Sequence, residues 1–207
     1  GMNVGRIAAL LAGLPVGVSA QTVNRFCSSG LQAIALAADR IRLGEADLMI
    51  GAGTETMSMV PMMGHKIAMN PAIFKDENIG IAYGMGITAE NVASQWQISR
   101  DEQDAFALAS HQKAIAAIAA GEFQSEISPC EVVSQQPDLV GNLVRVKKTL
   151  VVNDEGPRAD TTQDVLAKLR PVFRAGGSVT AGNSSQMSDG AGAVMLASEK
   201  AIKELGL

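Results

Sequence analysis

The apolar and polar positions of this chain fall into blocks of two kinds, regular α/β stretches at both ends and a long irregular excursion between them. Residues 4–12 are mostly Ala, Leu and Ile and predict a short helix, which Gly13 and Pro15 end. Val18–Val23 reads as a short extended segment. Ser28–Leu43 predicts a helix. Only Gln32 interrupts the apolar run Leu31–Ala38, so this helix is expected to be buried on most sides. Arg40 and Arg42 stand in its last turns, where the helix dipole favours cations, and Gly44 stands where a C-terminal cap belongs. Leu48–Ala52 then reads as a buried strand.

After Thr54 the pattern changes. Residues 57–86 hold six of the ten methionines, with Gly and Pro and no clean period. Two helices follow, over Thr88–Gln97 and from Ser99 to Ala120. The second opens with a capping box, Ser99 with Glu102 three residues on, and stops at Gly121. Residues 130–135 and 143–148 predict strands with Gly141-Asn142 turning between them. Thr161–Leu169 predicts a short helix closed by Pro171. The turn-rich stretch 175–190 leads to a buried strand over 191–197 and a helix from Ser198. The boundaries expected from this pattern are an α/β core over 1–57, an inserted α+β subdomain over 58–186, and a return to the core over 187–207. An insertion of that length exceeds a plain loop and needs its own small core.

Composition narrows the function classes. The 207 residues are 47% hydrophobic and only 18% charged, which fits a globular chain. The net charge of -4, without a basic tract, argues against a nucleic-acid or anionic-membrane partner. No apolar run reaches the roughly 18 residues of a membrane span, and no secretory leader pattern opens the chain. Two cysteines about a hundred positions apart do not make a disulfide framework, so the cytoplasm is the expected compartment. Gly1-Met2 reads as a cloning scar, which leads us to expect that a true upstream region is missing.

The chemistry centres on Cys27. The run Thr22-Val23-Asn24-Arg25-Phe26-Cys27-Ser28-Ser29-Gly30-Leu31 leads from an extended segment into the apolar helix. A cysteine at a helix N-terminus meets unpaired N–H groups and the positive dipole end, which favour a thiolate over a thiol. The same N–H groups can stabilise an oxyanion on an attacked carbonyl. Ser28, Ser29 and Gly30 are small and leave room for a ligand. The competing reading, a buried small hydrophobe, stays open on the residues alone.

Several motifs then point the same way. Residues 22–34 resemble the nucleophile motif of thiolases. Gly53-Thr54-Glu55-Thr56-Met57-Ser58 resembles that family's Gly-x-Glu-Ser-Met-Ser. Met85–Val92 and Ser99–Asp104 match its insertion. Thr180-Ala181-Gly182-Asn183-Ser184-Ser185-Gln186, followed by Ser188-Asp189-Gly190-Ala191, matches the signature where the chain leaves the insertion. Their order and spacing are those of thiolases over nearly the whole chain. The Gln-Ala after the cysteine motif, and Gln186, look most like the degradative 3-ketoacyl-CoA type.

The resemblance implies an α/β thiolase-like fold: a partial N-terminal βαβ half with a large inserted α+β loop subdomain, truncated at both ends. It implies thiolytic cleavage of 3-ketoacyl-CoA by CoA, or the reverse Claisen condensation, with Cys27 carrying the acyl group. CoA and acyl-CoA are then substrates, and neither a covalently bound cofactor nor a metal is expected. Arg158 matches a CoA-contacting arginine, Ser185 a serine that bonds the pantetheine amide, Ala181 its packing neighbour, and Met85 a methionine lining the pantetheine tunnel. Gly84 departs from the histidine of acetoacetyl-CoA-specific members, which weakens a short-chain-only reading. The activating histidine, the second catalytic cysteine and the oxyanion-binding asparagine and histidine of the family belong to a C-terminal half. None of their motifs occurs here, so the fragment alone is expected to be inactive. In the complete protein a homodimer or homotetramer is expected.

His65 and His111 read as ordinary histidines, and Cys130 as structural. The Met57–Met69 stretch suits either an acyl pocket or interface packing. Two other functional readings stay in play: a non-catalytic module binding CoA or an acyl group, and one half of a split enzyme.

Overall fold

The computed structural model describes residues 2–207. The chain divides into two units. One comprises residues 1–65 with 187–207, and the other residues 66–186.

In the first unit, helix α1 (Val4–Leu11) is capped by the side chain of Asn3, which accepts from the Arg6 N–H. Helix α2 (Ser29–Arg42) ends at Leu43, with Gly44 left-handed at φ +72°. Strand β1 (Leu48–Thr56) pairs antiparallel with β4 (Asp189–Ala197), from Leu48 opposite Ala197 to Thr56 opposite Asp189. Helix α6 (Glu199–Leu205) follows, capped by Ser198. The Asp47 carboxylate ties this return together. It accepts from the Ser198 hydroxyl and Lys200, and these two bonds hold it below its ordinary pKa.

Helix α2 lies on β1 through a close approach. A Cβ on Gly51 would stand 2.9 Å from Ile34 Cγ1 and 3.1 Å from Ile34 Cα. Only glycine lets the helix backbone come so near the strand.

Three expectations fail in this unit. Val18–Val23 forms no strand. Its surroundings are tied to α1 by side chains instead. The Arg6 guanidinium donates to the carbonyls of Val16 and Val18, Asn3 Nδ2 donates to Ala20 O, and the Gly5 N–H donates to Thr22 Oγ1. Nor is α2 buried on most sides. Ala37 alone is buried and Leu31 is 73% exposed. The strands β1 and β4 are likewise exposed over most of their length, because the unit has one two-stranded sheet on which α2 packs only locally, through Gly51 and Ile34.

The second unit begins with irregular turns. Two 3₁₀ turns, Pro71–Phe74 and Ile79–Ala82, precede helix α3 (Met85–Trp96). Helix α4 (Arg100–Ala119) has the complete capping box: Ser99 Oγ accepts from the Glu102 N–H, and the Glu102 carboxylate accepts from the Ser99 N–H at 2.8 Å. Strands β2 (Cys130–Asp138) and β3 (Leu143–Val151) form an antiparallel hairpin, each running three residues beyond the stretch expected. Its turn is held by Asp138 Oδ1, which accepts from Val140 and Gly141, and Asn142 is left-handed at φ +49°. The short α5 (Gln163–Ala167) is capped by Thr162.

The centre of this unit is polar. Glu90 of α3 is 2% exposed, Asp104 of α4 is 1% exposed, and Thr180 is fully buried. The Glu90 carboxylate accepts from the consecutive N–H groups of Ser178 and Val179, at 3.0 and 2.8 Å. Gly177 makes this possible, since a Cβ there would stand 2.2 Å from Glu90 Oε1. Burial pushes the Glu90 pKa up. The N–H groups of Ser178 and Val179 and the charge of Arg174 outweigh it, so the carboxyl lies below its ordinary value. Asp104 pairs with Arg100 at 2.7 Å and accepts from Asn183 Nδ2 at 2.9 Å. Arg100 also donates to the carbonyls of Leu166 and Leu169, which fixes the end of α5.

Two predictions follow from these contacts. Gly51→Ala is expected to destabilise the chain by about 1–3 kcal/mol, because the Ile34 backbone cannot give way. Gly53→Ala, where an added Cβ meets nothing within 4 Å, is expected to be near neutral. Thermal melting of both variants checks this. Glu90→Gln is expected to cost about 1.5–3 kcal/mol at neutral pH. The native carboxylate's contribution is present above its ordinary unfolded pKa and is lost as pH falls through the lower folded value. Denaturant titrations should therefore show the gap between Glu90→Gln and the parent chain closing in acid.

Candidate functional site

Cys27 stands at the end of a strained turn. Phe26 is left-handed at φ +48°, a conformation that costs a bulky residue on the order of 1–2 kcal/mol. Its ring is 86% exposed, so packing does not offset the strain. Polar ties hold the turn instead. Asn24 Oδ1 accepts from the Phe26 N–H at 3.0 Å. Ser29 Oγ accepts from the Arg25 N–H at 2.8 Å and donates to Phe26 O at 2.6 Å. The Arg25 guanidinium reaches Gln32 Oε1 at 2.7 Å. Cys27 is thus set directly before Ser28, the N-cap of α2.

The Cys27 side chain is exposed and free of any disulfide, which removes the buried-hydrophobe alternative. The Ser28 side chain makes no capping hydrogen bond. The Ser28 and Ser29 N–H groups donate to Arg25 O and Phe26 O at 3.1 and 3.0 Å, so the donor capacity left at the start of α2 is that of the Gly30 and Leu31 N–H groups. Cys130, read as structural, is also exposed, at the first position of β2 opposite Val151.

The motif Gly53–Ser58 meets the motif Ser188–Ala191 in this same unit. Asp189 accepts from the Ser58 hydroxyl and from the Ser58 N–H at 2.9 Å, and these bonds hold its carboxyl below the usual range. The end of β1 is thereby joined to the start of β4.

The residues matched to coenzyme binding lie in the other unit. Ala181 and Ser185 sit on a turn that its own side chains shape. Thr180 Oγ1 accepts from Gly182 and Asn183 N–H, Asn183 Oδ1 accepts from the Thr180 N–H at 2.7 Å, and Ser184 Oγ donates to Thr180 O at 2.6 Å. Asp104 and Glu90 anchor this turn and the strand-like stretch before it, leaving Ala181 and Ser185 exposed. The Ser185 hydroxyl has only a long contact, 3.5 Å to Gln186 O, and remains free to bond a ligand.

Arg158 is exposed and pairs loosely with Asp160 at 3.6 Å. Its loop lies against the turn, for a Cβ on Gly156 would stand 2.3 Å from Gln186 Nε2. Arg158, Ala181 and Ser185 are therefore on neighbouring segments. Met85, the first residue of α3, is 68% exposed. Its neighbour Gly86 abuts the Phe173 ring, and Val172 donates to Val179 O at 3.1 Å, which links this helix start to the same turn.

Sequence reasoning passed over the buried acids Glu90 and Asp104 that position this turn. Their sole signal was an acidic residue within a helix, and for Asp104 an Arg100 four residues earlier. His65 is exposed in the methionine-rich stretch, where Met59, Met62 and Met63 are exposed as well. His111 is half-buried on α4 and accepts the Arg158 N–H at Nδ1, 3.1 Å away.

Comparison with known proteins gives these motifs a common origin. The family described as thiolase, N-terminal domain, matches residues 1–200. A 3-ketoacyl-CoA thiolase of Bacillus subtilis is 49% identical, over all of this chain and 52% of its own length. An acetyl-CoA acetyltransferase of Pseudomonas aeruginosa is 46% identical, over all of this chain and 53% of its own. The crystal structure of the dimeric peroxisomal thiolase of Saccharomyces cerevisiae superposes with a TM-score of 0.82 at 36% identity, covering 98% of this chain and 49% of that one. This chain thus spans about half the length of the relatives it matches. Family match, identity and fold agree: the chain belongs to the thiolase family and carries its N-terminal domain.

Proposed function

We propose that this chain is the nucleophile-bearing part of an acyltransferase that cleaves 3-ketoacyl-CoA with CoA, or runs the reverse condensation. The observation that supports this best is the exposed Cys27 held by a strained turn directly before the N-cap of α2. In the cleavage direction the Cys27 sulfur attacks the 3-keto carbon, and the bond between carbons 2 and 3 breaks. The two-carbon fragment takes a proton and leaves as acetyl-CoA. A second CoA thiol then attacks the acyl-cysteine thioester, and the sulfur of Cys27 leaves. The Gly30 and Leu31 N–H groups at the start of α2 are the donors this chain offers to the oxyanion.

The base and the second cysteine come from a C-terminal half, as the family resemblance implies. The exposed apolar side chains of α2 and β4, Leu31, Val194 and Met195 among them, support a covering partner there. Residues 66–186, which form a compact unit inside the 58–186 stretch expected from sequence, are the inserted loop subdomain. In it Arg158 takes the phosphate or adenine end of coenzyme A, Ser185 bonds the pantetheine amide, Ala181 packs beside it, and Met85 lines the arm.

The complete protein is a homodimer or homotetramer working in fatty-acid metabolism, a reading supported by a dimeric structural relative and by relatives named for 3-ketoacyl-CoA. The free cysteines support a reducing compartment, the cytoplasm. No helix among the described residues is long and apolar enough to cross a membrane.

Both cysteines are exposed, so access alone does not separate them, and alkylation does. Iodoacetamide at neutral pH is expected to modify Cys27 several-fold faster than Cys130, read by peptide mass spectrometry. Equal rates would favour a non-catalytic CoA-binding module. Arg158→Ala is expected to weaken coenzyme A binding by about tenfold, the scale of one lost charge-assisted contact, in titration calorimetry.

A further inference from the structure

We propose that His111 is a positioning residue for coenzyme recognition: its Nδ1 holds the backbone of Arg158 and so presets where the guanidinium meets the ligand. The inference rests on the reading of Arg158 as a coenzyme A contact. It assigns a task to a histidine that the acyl-transfer chemistry leaves unused.

The loop around Arg158 has little else to fix it. Residues 152–162 form no helix or strand. The Arg158 side chain is exposed, and its one ion pair, to Asp160, is long at 3.6 Å and also exposed. Its carbonyl accepts only a long bond from the Thr161 N–H, at 3.4 Å. Against these weak ties stands the bond from the Arg158 N–H to His111 Nδ1, at 3.1 Å across 47 positions of sequence.

The other end of that bond is rigid. His111 lies midway along the 20-residue α4, which is fixed by its capping box and by the buried Arg100–Asp104 pair. A loop tied to such a helix inherits its position. The second contact of the loop, Gly156 against Gln186, places it beside the Ser185 turn. Asp104 anchors that turn from the same helix through Asn183. Helix α4 thus positions both segments that carry the coenzyme contacts, through Asp104 for one and His111 for the other.

Acceptance at Nδ1 puts the imidazole proton on Nε2. An asparagine at 111 can present Oδ1 where Nδ1 stands, while alanine presents nothing. A phosphate or adenine contact made by a freely moving arginine must order the loop on binding, and the bond to His111 removes part of that cost beforehand.

The test uses the whole chain, with hydrogen exchange of the Arg158 amide as one readout and the Kd of free coenzyme A as the other. His111→Ala is expected to speed exchange at Arg158 and to raise the Kd, each by about three- to tenfold, the scale of one hydrogen bond. His111→Asn is expected to restore both towards the parent values. Unchanged exchange in His111→Ala would overturn the proposal at its geometry. Faster exchange with an unchanged Kd, while Arg158→Ala still weakens binding, would overturn it at its function. If Arg158→Ala leaves the Kd unchanged, the coenzyme reading of Arg158 fails and the assigned role of His111 falls with it.

Discussion

A carboxylate taken out of water governs the geometry of the inserted unit. Glu90 is almost wholly buried, and an ionised group in that position is tolerated only when donors surround it. The donors are two consecutive backbone N–H groups, those of Ser178 and Val179, and the nearby Arg174 adds its charge. Arg174 is itself fixed on α3, donating to Ser94 and Asn91. Because two of the donors to Glu90 are backbone N–H groups, beside a longer contact from the Ser178 hydroxyl at 3.4 Å, the acid dictates the path of the chain as well as the position of a side chain. Asp104 does the same from α4 through Asn183, whose amide bridges to Thr180 and Ser178. The turn carrying Ala181 and Ser185 therefore hangs on two helices by charged hydrogen bonds. A unit with a large apolar core would not need this arrangement. Here the polar Glu90, Asp104 and Thr180 are buried beside only a few apolar side chains, Ala93, Leu166 and Val179.

The unit that carries Cys27 uses different means for a similar end. Its helix is seated by the absence of a side chain at Gly51, and its Cys27 is presented by a left-handed Phe26. Strain at Phe26 persists because Asn24, Ser29 and Gln32 over-determine the turn with short polar contacts. The stretch from Val16 to Thr22 before it is held by Asn3, Gly5 and Arg6 at the start of the preceding helix, so the first few residues of the chain already bear on where the sulfur stands. In both units small residues and polar side chains do the positioning.

Much of this was legible from sequence because it is local. The capping box at Ser99 and Glu102, the glycine after α2 and the Asn142 turn of the hairpin are each fixed by chemistry within a few residues. The placement of Cys27 was legible for the same reason, since cysteine, small residues and helix start are contiguous. What escaped depends on distant partners. Val18–Val23 has strand-like composition but no neighbouring strand, and the side chains of Arg6 and Asn3 take up the Val18 and Ala20 carbonyls instead. The apolar face of α2 reads as core, but burial requires a second layer that this unit does not contain. Glu90 and Asp104 read as surface acids because nothing within their own helices shows that Ser178, Val179 and Asn183, some eighty positions away, close over them.

Intact and peptide mass spectrometry after incubation with acetyl-CoA tests the account most directly. A transthioesterification at the nucleophile forms a thioester to the chain and releases the coenzyme thiol. The expected result is a single acetyl adduct, labile to hydroxylamine, on Cys27 and none on Cys130. An adduct distributed equally over the two cysteines, or none on Cys27, would contradict it.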